Sequence, residues 1–553
     1  MIYLTISSLI RPTLYILAAL LGLPLSITLS FLLLLWRRTT LVPSHLPWSG
    51  TADTTFFPKT RALLREARAK RGPITQGYAD FAARNQPFVL PAMHWPDVAL
   101  PPSENAWLIA QPDSVLSTVE TQDELLMLGF FGHGPDQAAN HDFGVVMRDL
   151  TRQMGRLLPA LREEVEACFE ELFRPDEGEE WKEVVLYEAV EMAARRGVNR
   201  IFLGAPMCRD ERVVRHAYQA SIMFSLCGAV LRTLVPGLLR PLFAPLVGLP
   251  YYYHRWRLHR LLRPTIAQRM HDLQHPSEKT TPKPNDGLQW ILSSAHDPAT
   301  NTSRLTPLQI TGKTLLLNFF AVFTTSITAG TVLYDILLHH PTDPSLLSQL
   351  RTEASTTLPL LPTDPTATRQ MPKLDSTIRE TLRYNPMFAR GIQRKVVRPA
   401  GLTTPSGLFL PHGTHVCALV APMQRDPTLL AAADEYRPLR YYRDMGEKQT
   451  GATQISADFL SFSLGKHACP GRFFAVQTMK VMVGWLLVNY EFEVLGVEGK
   501  AGGPEWLEIG EARLPPQGKE GRVRVRRRRV VEDREGGGDE GGKEAEEEGE
   551  SLI

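Results

Sequence analysis

The sequence predicts a mainly helical protein with a small β-rich lobe, and its hydrophobic pattern carries this prediction. Residues 145–173 and 184–202 repeat apolar side chains at helical spacing. A further apolar helix is predicted at residues 306–340, which would be about 50 Å long at 1.5 Å per residue. Short apolar runs at residues 87–91 and 106–109 predict strands, so sheet comes early and helix dominates afterwards.

Length and composition indicate one large domain rather than a small domain stabilised by disulfides or a metal. The chain has 553 residues, 43% of them hydrophobic, and can bury a large core. Its formal net charge of +2 gives no reason to expect nucleic-acid binding. The five cysteines are odd in number and include no close Cys-x-x-Cys pair, which argues against a disulfide framework or a zinc site. We expect one domain at residues 51–515, in a reducing compartment.

The amino-terminal region predicts a membrane anchor. Residues 13–36 contain no charged side chain, and a helix of this length crosses a hydrocarbon core of ~30 Å. A secretory signal peptide is the alternative, but the apolar run is long and no convincing cleavage site follows it. Arg11 and the amino terminus nearly balance Arg37 and Arg38, so charge alone leaves the orientation open. The prolines and glycine of residues 37–50 predict a stiff hinge at the membrane surface.

Two later segments stand out by composition. Residues 223–253 are strongly apolar, and their four prolines exclude a single spanning helix. They form either a pair of core helices or a surface that dips into the membrane beside a substrate entrance. Residues 275–303 are polar and rich in Pro, Asn, Ser and Thr, which predicts an exposed loop.

The helix at residues 306–340 carries hydroxyl groups where an apolar helix normally has none. It opens with Thr-Pro-Leu-Gln, in which threonine and glutamine form a capping box and proline occupies the first helical position. Its apolar middle contains Thr324, Thr325 and Ser326. Such hydroxyls either bond back to carbonyls one turn earlier or serve a ligand, and the pattern alone leaves both readings open.

Cys469 lies in a loop that leads directly into an apolar helix predicted at residues 472–488. Gly465 allows backbone conformations closed to other residues, and Gly471 allows a close approach. A helix amino terminus favours a thiolate, and a thiolate is a ligand of heme iron. The alternative, a buried structural cysteine, is the commoner state of a lone cysteine.

The spacing Phe-x-x-Gly-x-x-x-Cys-x-Gly, here Phe462, Gly465, Cys469 and Gly471, resembles the heme-binding signature of the cytochrome P450 monooxygenases. The resemblance covers roughly residues 46–515. It implies the mainly helical, triangular cytochrome P450 fold with a small β lobe, here preceded by an N-terminal transmembrane helix. It also implies heme b, with Cys469 as the axial thiolate ligand of the iron.

Glu380 and Arg383 lie three residues apart, close enough to pair on one helix. Alone, an exposed pair of this kind is worth ~0–1 kcal/mol. With the later Pro438-x-Arg440 and the cysteine loop, however, they follow the order and approximate spacing of the family's Glu-x-x-Arg and Pro-x-Arg elements. The resemblance implies that Glu380, Arg383 and Arg440 form a buried network that fixes the cysteine loop.

The resemblance also implies cations for the heme propionates. His467 and Arg394 match best, and a register shift would substitute Arg390 for Arg394. The family's Trp-x-x-x-Arg is absent from the early helix; Arg148 or Arg152 would replace its arginine.

The middle of the long helix resembles the family's Ala-Gly-x-Asp/Glu-Thr motif. Ala321 matches its first position, and Thr325 matches the hydroxyl that hydrogen-bonds dioxygen and helps to deliver protons. Val322 replaces the glycine and Thr324 the acid, so the family's acid relay cannot be copied here. We predict a water chain through Thr324 and Thr325 in its place.

Taken together, the resemblance implies an enzyme of the endoplasmic reticulum membrane, with a single pass and a cytosolic catalytic domain. It would take electrons from NADPH through NADPH–cytochrome P450 reductase and insert one oxygen atom into a lipophilic small molecule. Residues 199–206 resemble a stretch of fungal secondary-metabolite members. The alternatives are a heme-thiolate isomerase, dehydratase or desaturase, and a non-catalytic heme or lipid-binding protein.

The composition changes after residue 515. Residues 522–529 are basic, and residues 532–550 are rich in glycine and glutamate. We predict a charged, disordered tail over residues 516–553.

Overall fold

The structure, a computed structural model, describes residues 31–528 except 34, 52–55, 70, 93, 134–140, 176–179, 276–282, 444–446, 448 and 497–502. Most of the anchor predicted at residues 13–36, and the tail beyond Arg528, lie outside the described residues. Within them, the only helix long and apolar enough to cross a membrane is Pro307–His339, and 67% of its most apolar stretch is buried in the domain. That helix is therefore a core helix.

The fold is mainly helical, as predicted. The helices are α1 (Pro58–Ala69), α2 (Gly72–Asp80), α3 (Asn105–Ala110), α4 (Thr118–Leu126), α5 (His141–Leu172), α6 (Leu186–Phe202), α7 (Glu211–Leu234), α8 (Arg240–Val247), α9 (Leu249–Gln274), α10 (Gly287–Ala295), α11 (Pro307–His339), α12 (Pro344–Thr357), α13 (Pro372–Tyr384) and α14 (Arg472–Asn489).

Short strands form the small β part. They are β1 (Phe88–Leu90), β2 (Asp97–Leu100), β3 (Leu116–Ser117), β4 (Lys182–Val185), β5 (His296–Asp297), β6 (Thr302–Ser303), β7 (Arg390–Val396), β8 (Leu402–Thr403), β9 (Phe409–Leu410), β10 (His415–Leu419), β11 (Tyr490–Val494), β12 (Leu507–Ile509), β13 (Ala512–Leu514) and β14 (Arg522–Arg527). The largest sheet has the order β1-β2-β10-β7-β3, and a second has the order β11-β14-β4. β2 and β10 are parallel, and the other pairs are antiparallel.

The long helix α11 organises the helical core. Its capping box is present: the Thr306 hydroxyl accepts a hydrogen bond from the Gln309 amide, and the Gln309 side chain accepts one from the Thr306 amide. The helix packs against α6, α7 and α9 along one part of its length, and against α13 and α14 along another. The two predicted parts of the site, on α11 and at the start of α14, therefore belong to neighbouring helices.

Two local predictions were wrong. Residues 106–109 form part of helix α3, not a strand; a short apolar run fits either structure, and here Asn105 and Leu108 face the interior at helical spacing. The segment at residues 275–303, predicted as an exposed loop, contains the buried helix α10. The Asp286 side chain caps this helix, and its apolar residues pack against α5 and α11.

The domain continues past the predicted boundary at residue 515, so the prediction of a disordered tail from residue 516 was wrong for the residues up to Arg528. Strand β14 pairs with both β11 and β4. Val523 and Val525 are buried, Arg524 between them is exposed, and Arg526 pairs with Glu491 at 2.7 Å. The basic run is therefore the polar face of a strand with alternating burial.

The predicted hinge at residues 37–50 is packed onto the β lobe rather than standing apart from it. Leu46 and Trp48 are buried, and the amide of Val89 in β1 donates to the carbonyl of Pro47 at 2.8 Å. Just before it, Arg38 donates to the carbonyls of Arg232 and Thr233 at the end of α7, at 3.2 and 3.3 Å.

Residues 223–253 form the end of α7, then α8 and the start of α9, and they leave a large apolar surface exposed. Leu238 is 93% exposed. The other exposed apolar side chains of this surface are Leu226, Val230, Leu234, Leu239, Leu242, Phe243, Leu246, Leu249, Tyr253 and Trp256. Buried residues such as Leu231 and Tyr251 hold the same helices to the core. We call the exposed set the α7–α9 apolar surface.

Candidate functional site

The loop before α14 holds Cys469 in a fixed position. The Cys469 amide donates to the carbonyl of Phe462 at 2.8 Å, which closes the loop. Gly465 has φ +72°, and a Cβ added there would lie 2.6 Å from Cγ2 of Ile109, so only glycine fits. The motif glycine is therefore required by a close contact with α3.

The sulfur of Cys469 receives the backbone amides of Gly471 and Arg472 as hydrogen-bond donors. Burial raises the pKa of the Cys469 thiol, and these amides together with the Arg472 guanidinium oppose the rise. The helix amino terminus therefore lowers the pKa of Cys469 by less than burial raises it. A bound metal ion would stabilise the deprotonated sulfur in such a site. A Cβ added at Gly471 would lie 3.2 Å from Cε of Met147, so α5 covers one side of the loop.

Cys469 also differs from the other four cysteines in accessibility. Cys168, Cys208, Cys227 and Cys417 are fully buried or nearly so, whereas Cys469 is partly accessible. Burial raises the pKa of each of the four buried thiols. Among the described residues, no group of three or more His, Cys, Asp or Glu side chains is placed to hold a metal ion. Cys469 is therefore not part of a multi-residue metal site of that kind, which is compatible with a thiolate ligand of heme iron.

The two cations predicted for the heme propionates lie in one neighbourhood. His467 bonds to Asp113 at 2.9 Å, and Lys466 bonds to the same carboxylate at 2.8 Å. Arg394 acts electrostatically on both Asp113 and His467. It also donates to the carbonyl of Ile109, the residue packed against Gly465, at 3.4 Å. Arg394 is thus on the same side of the loop as His467.

The alternative Arg390 is already paired. It forms ion pairs with Asp97 and with Glu511, the latter at 3.0 Å. The Nε atom of Arg394, in contrast, is buried and has no hydrogen-bond partner among the described residues. Arg148 and Arg152 are both exposed on α5.

The hydroxyls of α11 differ in what they bond to. Thr324 is exposed, and its hydroxyl donates to the carbonyl of Phe320 at 2.7 Å, the back-bonding alternative for such a residue. Ser326 donates to the carbonyl of Phe323 at 3.1 Å. Thr325 is 1% exposed, and its hydroxyl makes no hydrogen bond within the described part of the chain. Of the three, Thr325 alone keeps its hydroxyl available.

The structure brings Glu380, Arg383 and Arg440 together in a buried network. Arg383 donates to both carboxylate oxygens of Glu380 at 2.8 Å, and Arg440 Nε lies 3.1 Å from both. The amide of Arg437 donates to the same carboxylate at 2.8 Å. Glu380 is fully buried and Arg383 is 1% exposed, so this is not a surface ion pair.

Gln424 connects this network to the cysteine loop, and sequence reasoning missed it. Its backbone carbonyl accepts a hydrogen bond from Arg383 at 2.7 Å. Its side chain accepts from the Leu460 amide at 2.9 Å and contacts the Ser461 hydroxyl at 3.2 Å. Asp113, the partner of Lys466 and His467, was missed as well. Neither residue belongs to a recognisable motif, so only the fold reveals their positions.

A sequence model of the cytochrome P450 family matches residues 145–509, which include the network and the cysteine loop. The chain belongs to the cytochrome P450 family. Members of this family are heme-thiolate oxidoreductases that receive electrons from a redox partner.

Curated relatives and a solved structure agree with this assignment. Cytochrome P450 monooxygenase lnaC of Aspergillus flavus is 30% identical over 453 residues, covering 79% of this chain and 84% of the relative. Cytochrome P450 monooxygenase gloP of Glarea lozoyensis is 31% identical over 487 residues, covering 82% and 86%. The retinoic acid-bound cyanobacterial CYP120A1 superimposes with a TM-score of 0.59 at 17% identity, covering 84% of this chain and 96% of that one, which shows the shared fold.

The residues present fit a heme. Cys469 supplies one accessible sulfur with two amide donors, and the unpartnered Nε of buried Arg394 is available for an acceptor such as a propionate. His467 provides a second polar group beside it.

Proposed function

We propose that this P450 is a monooxygenase that inserts one oxygen atom from dioxygen into a lipophilic small molecule, in fungal secondary-metabolite biosynthesis. The observation that carries the proposal is the environment of Cys469, the one accessible cysteine of the described chain, which lies at the start of α14 with two backbone amides on its sulfur. The fungal monooxygenases among the relatives support the reaction class.

In this proposal the Cys469 sulfur would hold the iron of heme b, and Arg394 and His467 would bind its propionates. Phe462, Gly465 and Gly471 shape the loop around the sulfur. The heme, when bound, supplies oxygen activation. Thr325 holds and passes protons on the substrate side of α11. Glu380, Arg383 and Arg440 keep the loop in position.

Electrons would come from NADPH through NADPH–cytochrome P450 reductase. Exposed cations lie near the cysteine loop: the Lys466 side chain is 51% exposed, and Arg148 and Arg152 are exposed on α5 after Met147, the residue that covers Gly471. Such a surface attracts an acidic partner and speeds its association at low salt.

Attachment to the endoplasmic reticulum membrane, with a cytosolic catalytic domain, is supported by the α7–α9 apolar surface. An apolar patch of this size on a soluble face needs a partner. Arg38, two residues after the predicted anchor, donates to carbonyls at the end of α7, so this part of the chain adjoins the α7–α9 apolar surface. A lipid bilayer would cover both, and a lipophilic substrate would reach the enzyme from it.

The test is a spectrum followed by turnover. Full-length protein in microsomes, reduced under carbon monoxide, should give the red-shifted band of a thiolate ligand, and Cys469→Ser should lose it. With reductase, NADPH and extracts of the producing organism, a product heavier by one oxygen should form. A Cys469→Ser variant that keeps the band would overturn the ligand assignment.

A heme-thiolate isomerase, dehydratase or desaturase is the second candidate, because Thr324 stands where the family's acid would deliver protons, and its hydroxyl is bonded to Phe320. Product formation without NADPH would favour an isomerase or dehydratase. Failure to turn over any compound in the extract, despite a normal thiolate band, would favour a non-catalytic heme or lipid-binding protein.

A further inference from the structure

A buried polar cluster lies behind α11, between α6 and α7. Its centre is Glu191, which is 7% exposed. Tyr218 donates to Oε1 of Glu191 at 2.8 Å, and Tyr187 donates to the same oxygen at 3.4 Å. Arg195 pairs with Oε2. A carboxylate with this many partners in an otherwise apolar interface is costly to bury, so its position calls for an explanation.

The cluster touches α11 beside the residue predicted to handle protons. The Tyr187 phenol interacts with the Ser326 hydroxyl, the next residue after Thr325. The Tyr187 ring also packs at Gly330, where an added Cβ would lie 3.1 Å from its Cδ2. Burial raises the pKa of Tyr187, so the phenol stays protonated and acts as a hydrogen-bond donor and acceptor.

The other end of the cluster reaches solvent. Glu191, Tyr187 and Tyr218 line an open cleft of about 420 Å³. Deeper in the same interface, a cavity of about 10 Å³ is bordered by Arg195 and Asn199. Arg195 Nε and Asn199 Oδ1 are buried there without a hydrogen-bond partner among the described residues. A cavity of this size beside two polar atoms is at the lower limit of the volume that one water needs.

We propose that Glu191, Tyr187 and Ser326 form a proton path from the cleft to Thr325, which takes over the role of the acid that Thr324 replaces. The inference rests on the proposed monooxygenase function. Thr324 cannot serve this role in the observed geometry, because its hydroxyl is exposed and bonded to its own helix. In this proposal the carboxyl group is instead that of Glu191 on α6.

The protons balance along this path. Glu191 accepts a proton from water in the cleft and passes it to the Tyr187 oxygen, while the phenol gives its own proton to Ser326. Ser326 turns from the Phe323 carbonyl and, through one water, gives a proton to Thr325. Each hydroxyl gives up one proton as it accepts the next, and no group changes its oxidation state.

Two tyrosines bonded to the same carboxylate oxygen provide a matched test. Tyr187→Phe removes the hydroxyl that interacts with Ser326. Tyr218→Phe removes a hydroxyl that bonds to Glu191, and the Tyr218 ring stacks on Phe323. Both keep the ring. In microsomes with reductase and NADPH, and with no added substrate, Tyr187→Phe should raise the share of electrons recovered as peroxide several-fold. Tyr218→Phe should stay near the wild type.

A measurement without turnover completes the test. In the reduced carbon monoxide complex of the holoenzyme, photolysis perturbs groups coupled to the substrate side. An infrared carboxyl band that is absent in Glu191→Gln should respond in the wild type and in Tyr218→Phe, and should not respond in Tyr187→Phe.

The outcomes separate the two proposals. Equal behaviour of the tyrosine variants, or loss of heme from Tyr187→Phe, would overturn the path and show that the cluster only joins α6 to α7. Absence of the thiolate band in the wild type would overturn the proposed function and the path with it.

Discussion

The side-chain oxygen of Gln424 accepts a 2.9 Å hydrogen bond from the backbone amide of Leu460, nine residues before Cys469. The Gln424 carbonyl accepts a second bond from Arg383, at 2.7 Å. Gln424 is 3% exposed, so water cannot readily replace these bonds. Gln424 therefore links the buried ion pair to the segment that holds the Cys469 sulfur through two hydrogen bonds.

Gln424→Leu should weaken the cysteine loop. It leaves the Leu460 amide buried without an acceptor, which costs about 1–3 kcal/mol. We expect a lower urea midpoint and reduced heme retention, measured by absorbance after gel filtration. Gln454→Leu makes the same change at an exposed side chain and serves as the control. Equal heme retention in the two variants would contradict the role of Gln424.

Glu380→Ala should lose folded protein and heme together. The change leaves Arg383 and Arg440 as uncompensated charges in a buried network, and breaking such a pair costs about 3–5 kcal/mol. Glu435→Ala removes a carboxylate from an exposed pair with Arg437 and should cost less than about 1 kcal/mol. Similar melting temperatures for both variants would show that the buried network contributes no more to stability than an exposed ion pair.

Thr325→Ala should separate oxygen chemistry from folding. Heme content, the thiolate band and substrate binding should be unchanged, while product per NADPH falls and peroxide rises, because protons arrive too slowly. Thr324→Ala should have a much weaker effect, since the Thr324 hydroxyl only bonds to Phe320. Stoichiometric product formation by the Thr325 variant would remove this residue from the mechanism.

Asp335 on α11 predicts a pH dependence of stability. Burial raises the pKa of Asp335 from 3.8 to about 7, although Asn385 donates to Oδ1 at 2.8 Å. Between those values the folded state keeps a proton that the unfolded state releases, so the free energy of unfolding falls as pH rises from about 4 to 7. Above pH 7 Asp335 is ionised in both the folded and the unfolded state, so the free energy of unfolding falls no further.

Asp335→Asn removes this titration and keeps the oxygen that Asn385 bonds to. The variant should melt at a higher temperature than the wild type above pH 7, and the difference should shrink as pH falls towards 4. At ~1.4 kcal/mol per pKa unit, the gain is at most a few kcal/mol. A difference in melting temperature that stays constant over this range would contradict the raised pKa.

The α7–α9 apolar surface predicts residual membrane binding. A chain lacking residues 1–38 should remain partly in the membrane fraction, and adding Leu238→Ser with Leu242→Ser should release it. Ile509→Ser, which changes an exposed apolar side chain on β12, is the control and should not release the truncated chain from the membrane. Complete solubility of the truncated chain before the leucines are changed would show that this surface does not bind lipid.

The sequence by itself determined the features that depend on neighbours along the chain. The capping box at Thr306, the helix after Cys469 and the glycine at position 465 were all readable, because caps, helical periodicity and loop geometry are set within a few residues. Motif order added Glu380, Arg383 and Arg440, since a family resemblance preserves spacing even where the contacts are distant.

Only the tertiary structure decided the features that depend on pairing between distant segments. Residues 522–527 read as a charged tail, and they become a strand because β11 and β4 supply partners for both of its edges. Gln424 contacts Leu460, 36 positions away, and Glu191 contacts Tyr218, 27 positions away; no local sequence pattern predicts either contact. Burial also raises the Asp335 pKa, because it removes water that the sequence alone cannot place.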